Sequence, residues 1–385
     1  MQAASLYTPQ DHYKSSWISQ WWESVDKGLI AGFLILSFIG LVLIASAGPS
    51  VARRIGISDG LLPAEWWFFT KYTIFSIMSL TVMVTISMMS PVVVRRTGIV
   101  MFLGAFIMLC LVPFIGTEIK GAKRWIFGIQ PSEFMKPGLV MITAWLMSLA
   151  KDYESFPGMV WSFVVTVLTA TLLLMQPDFG QTILITSVWV AMFFSAGANL
   201  LWFVGFSAFA VVGICAAYYS FAHVRNRVDA FLSPDDFDKF GVNYQSDVAN
   251  KAFSSGGLLG RGPGEGEIKN SLPDAHTDYI FAVAGEELGL LFCIVIMSVY
   301  AYMVIRGMMR IAPVYDHFSR FSVVGLMTLF GLQAFINMAV NVGLFPPKGM
   351  TLPFISYGGS SVLALGFLAG FVLCLSRNRP IGFKV

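Results

Sequence analysis

Apolar residues in this chain come in long unbroken runs, with short polar stretches between them. Ten runs are of spanning or near-spanning length, at about 29–47, 66–87, 98–115, 134–149, 159–174, 181–196, 200–219, 288–305, 322–344 and 361–375. A helix needs roughly 20 mostly apolar residues to cross a bilayer core. The pattern therefore predicts an all-α, polytopic integral membrane protein with ten transmembrane helices. The fifth and sixth runs are divided only by 176–180, where Pro177 and Gly180 supply a turn. Residues 1–28 and 376–385 read as polar tails around one membrane domain, 29–375. A large loop, 220–279, separates helices seven and eight. No internal repeat and no separate soluble domain is visible.

Composition agrees with the pattern. Hydrophobic residues make up 56% of the chain and charged ones 12%, against about half and a quarter in soluble domains. The net charge of +3 is small, and no stretch interleaves Lys and Arg with aromatics as a nucleic-acid binder does. Cys110, Cys215, Cys293 and Cys374 lie inside apolar runs without CxxC spacing, so neither a disulfide framework nor a zinc site is indicated. The N-terminus is polar up to Lys27 and its first apolar run is long enough to span, unlike a cleaved signal peptide.

Ten crossings put both termini on one side. With that side cytoplasmic, eleven cations lie inside and twelve outside, six of the twelve in the long loop. Long loops weigh little in the positive-inside rule. Without that loop the count is eleven against six, which predicts cytoplasmic termini and an extracytoplasmic 220–279 loop. The cations left outside, Lys123 and Arg124 among them, call for either an anionic ligand such as a lipid diphosphate or ordinary surface salt bridges.

Four segments at the outer boundary carry candidate chemistry. One is LPDAHTDYIFAVAGEEL at 272–288, where His276, Asp278, Glu286 and Glu287 meet an apolar helix. Charge at such a boundary is costly and needs a reason. Asp278, wet on one side and apolar on the other, suits a general base. The alternative is a helix start, with Thr277 or Asp278 as cap and the glutamates as partners for a cation. Another is GAKRWIFGIQPSEFMK at 121–136. Ser132 can cap a helix, and Glu133 and Lys136 share one helical face, which reads as a structural ion pair. Arg124 beside Trp125 suits a phosphate grip. A third is QPDFGQ at 176–181, which can equally be a capped helix hairpin. The fourth, NVGLFPPKGMTLPFISYGGSS at 341–361, breaks the helical pattern with prolines, glycines and hydroxyls that include Ser356. Irregular backbone at membrane depth is tolerated where protein or a cavity covers it. Gln333, Asn337 and Asn341 precede it on one face, a stripe that interhelical hydrogen bonding alone would explain. A polar cavity opening outward accounts for the four together. The glycines at 256–266 form no P-loop, since no GK[ST] ends the run.

In combination these segments resemble the SEDS family of bacterial cell-wall polymerases, the FtsW and RodA proteins. The matching pieces are RWI at 124–126, QPSEFMK at 130–136, QPDFG at 176–180, RVDAFLSP at 227–234, YQ at 244–245, SGGLLGRGPGEG at 255–266, LPDAHTDYIFAVAGEELG at 272–289 and LPFISYGGSS at 352–361. Their order and spacing agree over nearly the whole chain past residue 28. The HTD segment and the glycine loop look more like the FtsW branch than the RodA branch. Val248 departs from the pattern, standing where many relatives carry a second Gln after YQ.

The resemblance implies a ten-span helical enzyme that polymerises lipid II into glycan strands, with Asp278 matching the family's essential aspartate. It implies a single-span class B penicillin-binding transpeptidase as partner, the division-specific one, among the divisome proteins of the cytoplasmic (inner) membrane. The chemistry fits: an undecaprenyl diphosphate leaves as a sugar hydroxyl attacks, with inversion. Asp278 takes the proton, and Lys123, Arg124 and Arg227 steady the diphosphates. His276 and Ser356 complete the substrate-binding set. No ligand cluster demands a metal, although a divalent cation near Asp278 is compatible with the sequence. The rival expectations are a lipid II flippase, which needs charge at the membrane midplane, and a scaffold that only positions the transpeptidase.

Overall fold

The computed structural model describes residues 17–57, 63–119, 122–199, 201–220, 222, 225–226, 228–229, 244–311, 316–347 and 349–377. Its helices are α1 (Trp17–Ser24), α2 (Lys27–Arg54), α3 (Trp67–Ser87), α4 (Pro91–Ile115), α5 (Pro131–Asp152), α6 (Gly158–Met175), α7 (Phe179–Ser195), α8 (Leu201–Ser220), α9 (Tyr244–Gly256), α10 (Ile280–Ile311), α11 (His317–Asn341) and α12 (Gly359–Leu375). Each of the ten apolar runs lies on one of these helices, several of which extend past their run: α2 ends seven residues after it, and α4 and α10 begin seven and eight residues before theirs. Six helices are long and apolar enough to cross a membrane by length and composition, and apolar stretches of α7, α8 and α12 are shorter. Large side chains such as Phe38, Val100 and Ile107 project from the outer faces of α2 and α4. A belt of this kind is stable only in lipid. The protein is an all-α membrane protein with one exception, a two-stranded hairpin of β1 (Thr117–Ile119) and β2 (Ala122–Trp125).

Local chemistry sets many helix ends. Asp26, Ser90, Asp178 and Asp316 each accept a backbone N–H from the first turn of α2, α4, α7 and α11. The expected cap at Ser132 is not used. α5 begins at Pro131, whose missing N–H costs nothing at a first helical position, so Gln130 takes the cap position and Ser132 is buried in the first turn.

α11 is the most buried of the six long apolar helices: 67% of its apolar window is buried, against 50% for α2 and 28% for α3, α4, α6 and α10. It packs on α5, α7, α10 and α12, while α3 lies along α12 and α2 along α10 and α3. At the end of the bundle where α2 begins, Asp26 holds the last turns of α10, with Arg306 Nε at 2.6 Å and Arg310 Nε at 3.5 Å. Burial pushes the Asp26 carboxyl up, but the Arg306 hydrogen bond, the Leu29 N–H and both guanidinium charges outweigh it and hold it below the ordinary value.

α10 is broken. Gly289 has φ 78° and ψ 176°, which splits the element into 280–288 and 290–311. A break frees backbone groups that must find partners inside the protein. The glycine loop after α9 supplies them. Arg261 N–H donates to the Glu286 carbonyl at 3.0 Å and Gly262 N–H to that of Glu287 at 2.9 Å. In return Leu290 and Leu291 N–H donate to the Gly257 and Leu258 carbonyls at 3.0 and 3.2 Å. Gly260, at φ 81°, passes so close that an added Cβ would overlap the Glu287 carbonyl oxygen.

Candidate functional site

The segment 264–279 is tied down from both flanks. Glu286, fully buried, accepts the N–H groups of Ile268 at 2.7 Å and Lys269 at 2.9 Å. Glu287 pairs with the Lys269 ammonium, which also donates to Ser46 Oγ of α2 and to the Gly264 carbonyl. The two glutamates, expected as partners for a cation, thus divide the work between backbone and charge. Arg54 at the end of α2 donates to the Leu272 carbonyl at 3.0 Å. The HTD turn closes on the Asp274 carbonyl, which accepts from Thr277 N–H, Thr277 Oγ1 and Tyr279 N–H.

Asp278 follows that turn and is half-buried. Its carbonyl oxygen accepts two side-chain amides from α11, Asn337 Nδ2 at 2.8 Å and Asn341 Nδ2 at 2.9 Å. Its carboxylate faces the backbone of Gly349, where an added Cβ would stand 3.5 Å from Oδ2. The cap of α10 comes partly from outside its own sequence, since Asn341 Oδ1 accepts the Ala282 N–H at 3.0 Å.

The irregular stretch 349–358 forms the facing wall. Tyr72 and Tyr300 hydroxyls donate to the carbonyls of Phe354 and Pro353. Phe354 sits at φ 61° in the left-handed region, a conformation that surrounding contacts must hold. His276 lies in this wall, its ring 4.4 Å from that of Phe68 and 5.4 Å from that of Tyr357. Ser356 is only 1% exposed; it donates to the Thr277 carbonyl at 2.5 Å and accepts the Leu352 N–H at 2.7 Å. It ties the HTD turn to the 349–358 stretch.

Glu133 and Lys136 lie 3.0 Å apart at the head of α5, both almost fully buried. Gln181 of α7 donates to Glu133 at 3.3 Å, and Gln333 Oε1 accepts from Lys136 at 3.1 Å. Gln333 Nε2 in turn donates to the Thr351 carbonyl at 3.0 Å, and Thr351 shares a hydroxyl bond of 2.7 Å with Ser361. The pair is thus wired to the same irregular wall that faces Asp278.

The hairpin presents Lys123 and Arg124 differently. Lys123 is exposed. Arg124 turns to the QPDFG turn, donating to the carbonyls of Gln176 at 3.2 Å and Pro177 at 2.9 Å, with Asp178 Oδ2 at 4.0 Å. Burial pushes the Asp178 carboxyl up, opposed by the Arg124 charge and the Gln181 N–H. Arg124 therefore fastens the hairpin to the turn. Gln130 N–H donates to Ser360 Oγ at 3.1 Å, joining this corner to the start of α12. Arg227 lies outside the described residues. Among the described residues no three His, Cys, Asp or Glu side chains gather to hold a metal.

The arrangement brings the HTD turn, the 349–358 stretch and the α11 amides into one polar cleft at an end of an apolar bundle, with the Asp278 carboxylate facing Gly349. A family model for FtsW/RodA/SpoVE, described as a cell cycle protein, matches residues 27–380. The chain belongs to the FtsW/RodA/SpoVE family. Among its FtsW relatives, the "Probable peptidoglycan glycosyltransferase FtsW" of Caulobacter vibrioides is 42% identical over 364 residues, 94% of this chain and 91% of that one. The protein of the same name in Trichlorobacter lovleyi is 35% identical, over 92% and 94%. A solved structure described as "Structural coordination of polymerization and crosslinking by a peptidoglycan synthase complex" shares the fold at TM-score 0.73 and 24% identity, over 91% of this chain and 97% of that one. The rod shape determining protein RodA of Thermus thermophilus does so at 0.64 and 21%, over 92% and 97%. Every segment of the cleft lies inside the FtsW/RodA/SpoVE match.

Sequence reasoning missed three parts of the site: the hairpin, the Lys269–Glu287 pair and the recipients of the α11 amides. The stripe Gln333, Asn337, Asn341 gave a signal for the last, but only tertiary contact names the carbonyl that receives it.

Proposed function

We propose that this protein is a peptidoglycan glycosyltransferase that polymerises lipid II, working beside a division-specific class B transpeptidase at the septum. The names of its FtsW relatives support the reaction class, and a synthase complex among the fold's neighbours supports the partner. The chain crosses the inner membrane ten times, with both termini cytoplasmic and the cleft on the outer face. That side is where flipped lipid II presents its sugar.

The observation that carries the reading is the Asp278 carboxylate, half-buried and facing Gly349, on a backbone held by two amides. The acceptor sugar hydroxyl attacks the anomeric carbon of the donor. Its oxygen forms the new glycosidic bond, the bond to the diphosphate breaks, and the hydroxyl proton passes to Asp278. One displacement inverts the α-linked donor into a β-linkage. Lys123, exposed on the hairpin, meets the diphosphate charge as it develops. Arg124 holds the hairpin that carries Lys123, and Glu133 and Lys136 stiffen the head of α5.

The test is polymerisation of purified lipid II by the purified protein, with and without its transpeptidase. Asp278→Asn keeps the shape but cannot accept a proton at neutral pH. It should fold, insert and lose about 10²–10⁴-fold in rate, the usual share of general base catalysis. Robust polymerisation by folded Asp278→Asn would sink the base assignment. Transport of lipid II across vesicles without polymer would favour the flippase.

A further inference from the structure

A carboxylate on a loop is only as well placed as the backbone that carries it. The residues flanking Asp278 supply little regular structure, because the HTD turn precedes it and α10 begins only at Ile280. The fixed points come from α11. Three of its polar side chains, Gln333, Asn337 and Asn341, stand one turn apart and reach into the cleft. Gln333 joins Lys136 to the Thr351 carbonyl. Asn337 Nδ2 reaches both the Met350 carbonyl at 2.6 Å and the Asp278 carbonyl at 2.8 Å. Asn341 gives a second donor to the Asp278 carbonyl and accepts the Ala282 N–H. Asn337 and Asn341 are 2% and 0% exposed. Buried amides with every strong partner inside the protein are rigid.

The geometry of Asn337 is the informative part. Its single amide nitrogen bridges the peptide after Asp278 to the peptide after Met350, and the Asp278 carboxylate faces Gly349, the neighbour of Met350. One side chain therefore sets the width of the gap between the base and the wall opposite it. We infer that Asn337 is a positioning residue for glycosyl transfer, which with Asn341 holds Asp278 at a fixed distance from the 349–351 wall so that an acceptor hydroxyl fits between them. The inference rests on the proposed role of Asp278. It gives the α11 stripe a task beyond gluing helices together, that of a ruler laid along the cleft.

A group that acts only through another has a distinct kinetic signature. Asn337→Ala should leave KM for lipid II unchanged and lower kcat by about tenfold to 10²-fold, the scale of an ångström-sized misplacement. On the Asp278→Asn background the same change should cost nothing further, because the base it positions is already gone. Rates are compared per folded protein, from size-exclusion and thermal unfolding in detergent. Unchanged kcat in Asn337→Ala would overturn the inference, as would an equal loss on both backgrounds. Should Asn337→Ala not accumulate folded, Asn337→Asp is of equal size and points an oxygen at both carbonyls, and the same outcomes decide. Failure of the underlying reading looks different: Asp278→Asn is then itself active, whatever Asn337→Ala does.

Discussion

Gly349 shows how much of the cleft around Asp278 is defined by what a residue lacks. Its backbone is outside the left-handed region, so alanine is tolerated conformationally, and a methyl 3.5 Å from Asp278 Oδ2 is in ordinary contact. Gly349→Ala should therefore fold normally while filling the space that the proposed mechanism gives to the acceptor hydroxyl. The expected result is a fall in kcat of up to about 10²-fold, read in a lipid II polymerisation assay alongside an unchanged melting temperature. An unaffected rate would mean that the acceptor approaches Asp278 from another side. At this scale the sequence is a good guide to identity and a poor one to allegiance. Asp278, Glu133 and Lys136 stand out as charges beside apolar runs. That Arg124 would serve two turn carbonyls, and Ser356 a buried one, depends on which surfaces meet after folding.

Among elements, the ten apolar runs are legible because lipid demands long stretches of one polarity, and their ends are legible where Asp, Ser or Pro marks a cap. The break in α10 is not legible in that way. Gly289 is one glycine in a run that otherwise reads as continuous, and its consequence appears only when the loop 256–262 lies against it. The hairpin between α4 and α5 is equally hidden, since short strands have too few positions to show alternation. Gly260 tests the loop's part in the break. Gly260→Ala puts a Cβ into the left-handed region, a cost of about 1–2 kcal/mol, and pushes against the Glu287 carbonyl. The loop should loosen, so that amide hydrogen exchange at Leu290 and Leu291 quickens while that of α11 stays slow. Equal protection in variant and parent would show that the loop is held by other contacts.

For the whole molecule, orientation decides whether the cleft meets its substrate. Ser254 is exposed on α9, beside the glycine loop. A cysteine there, in a chain whose four native cysteines are replaced, should react with an impermeant thiol reagent in intact spheroplasts. Labelling only after permeabilisation would put the cleft on the cytoplasmic side and end the polymerase reading as drawn. The bundle around that cleft has an unequal mechanics. α2 is fastened to α10 near both ends, by Ser46 to Lys269 and Glu287 beside the cleft and by Asp26 to Arg306 and Arg310 opposite. One pin lies on each side of the Gly289 break, so both segments of α10 are held in register along α2. The side of the bundle that carries Asp278 is thus fixed in register, and under the proposed function any widening for a glycan strand falls to the helices on the other side.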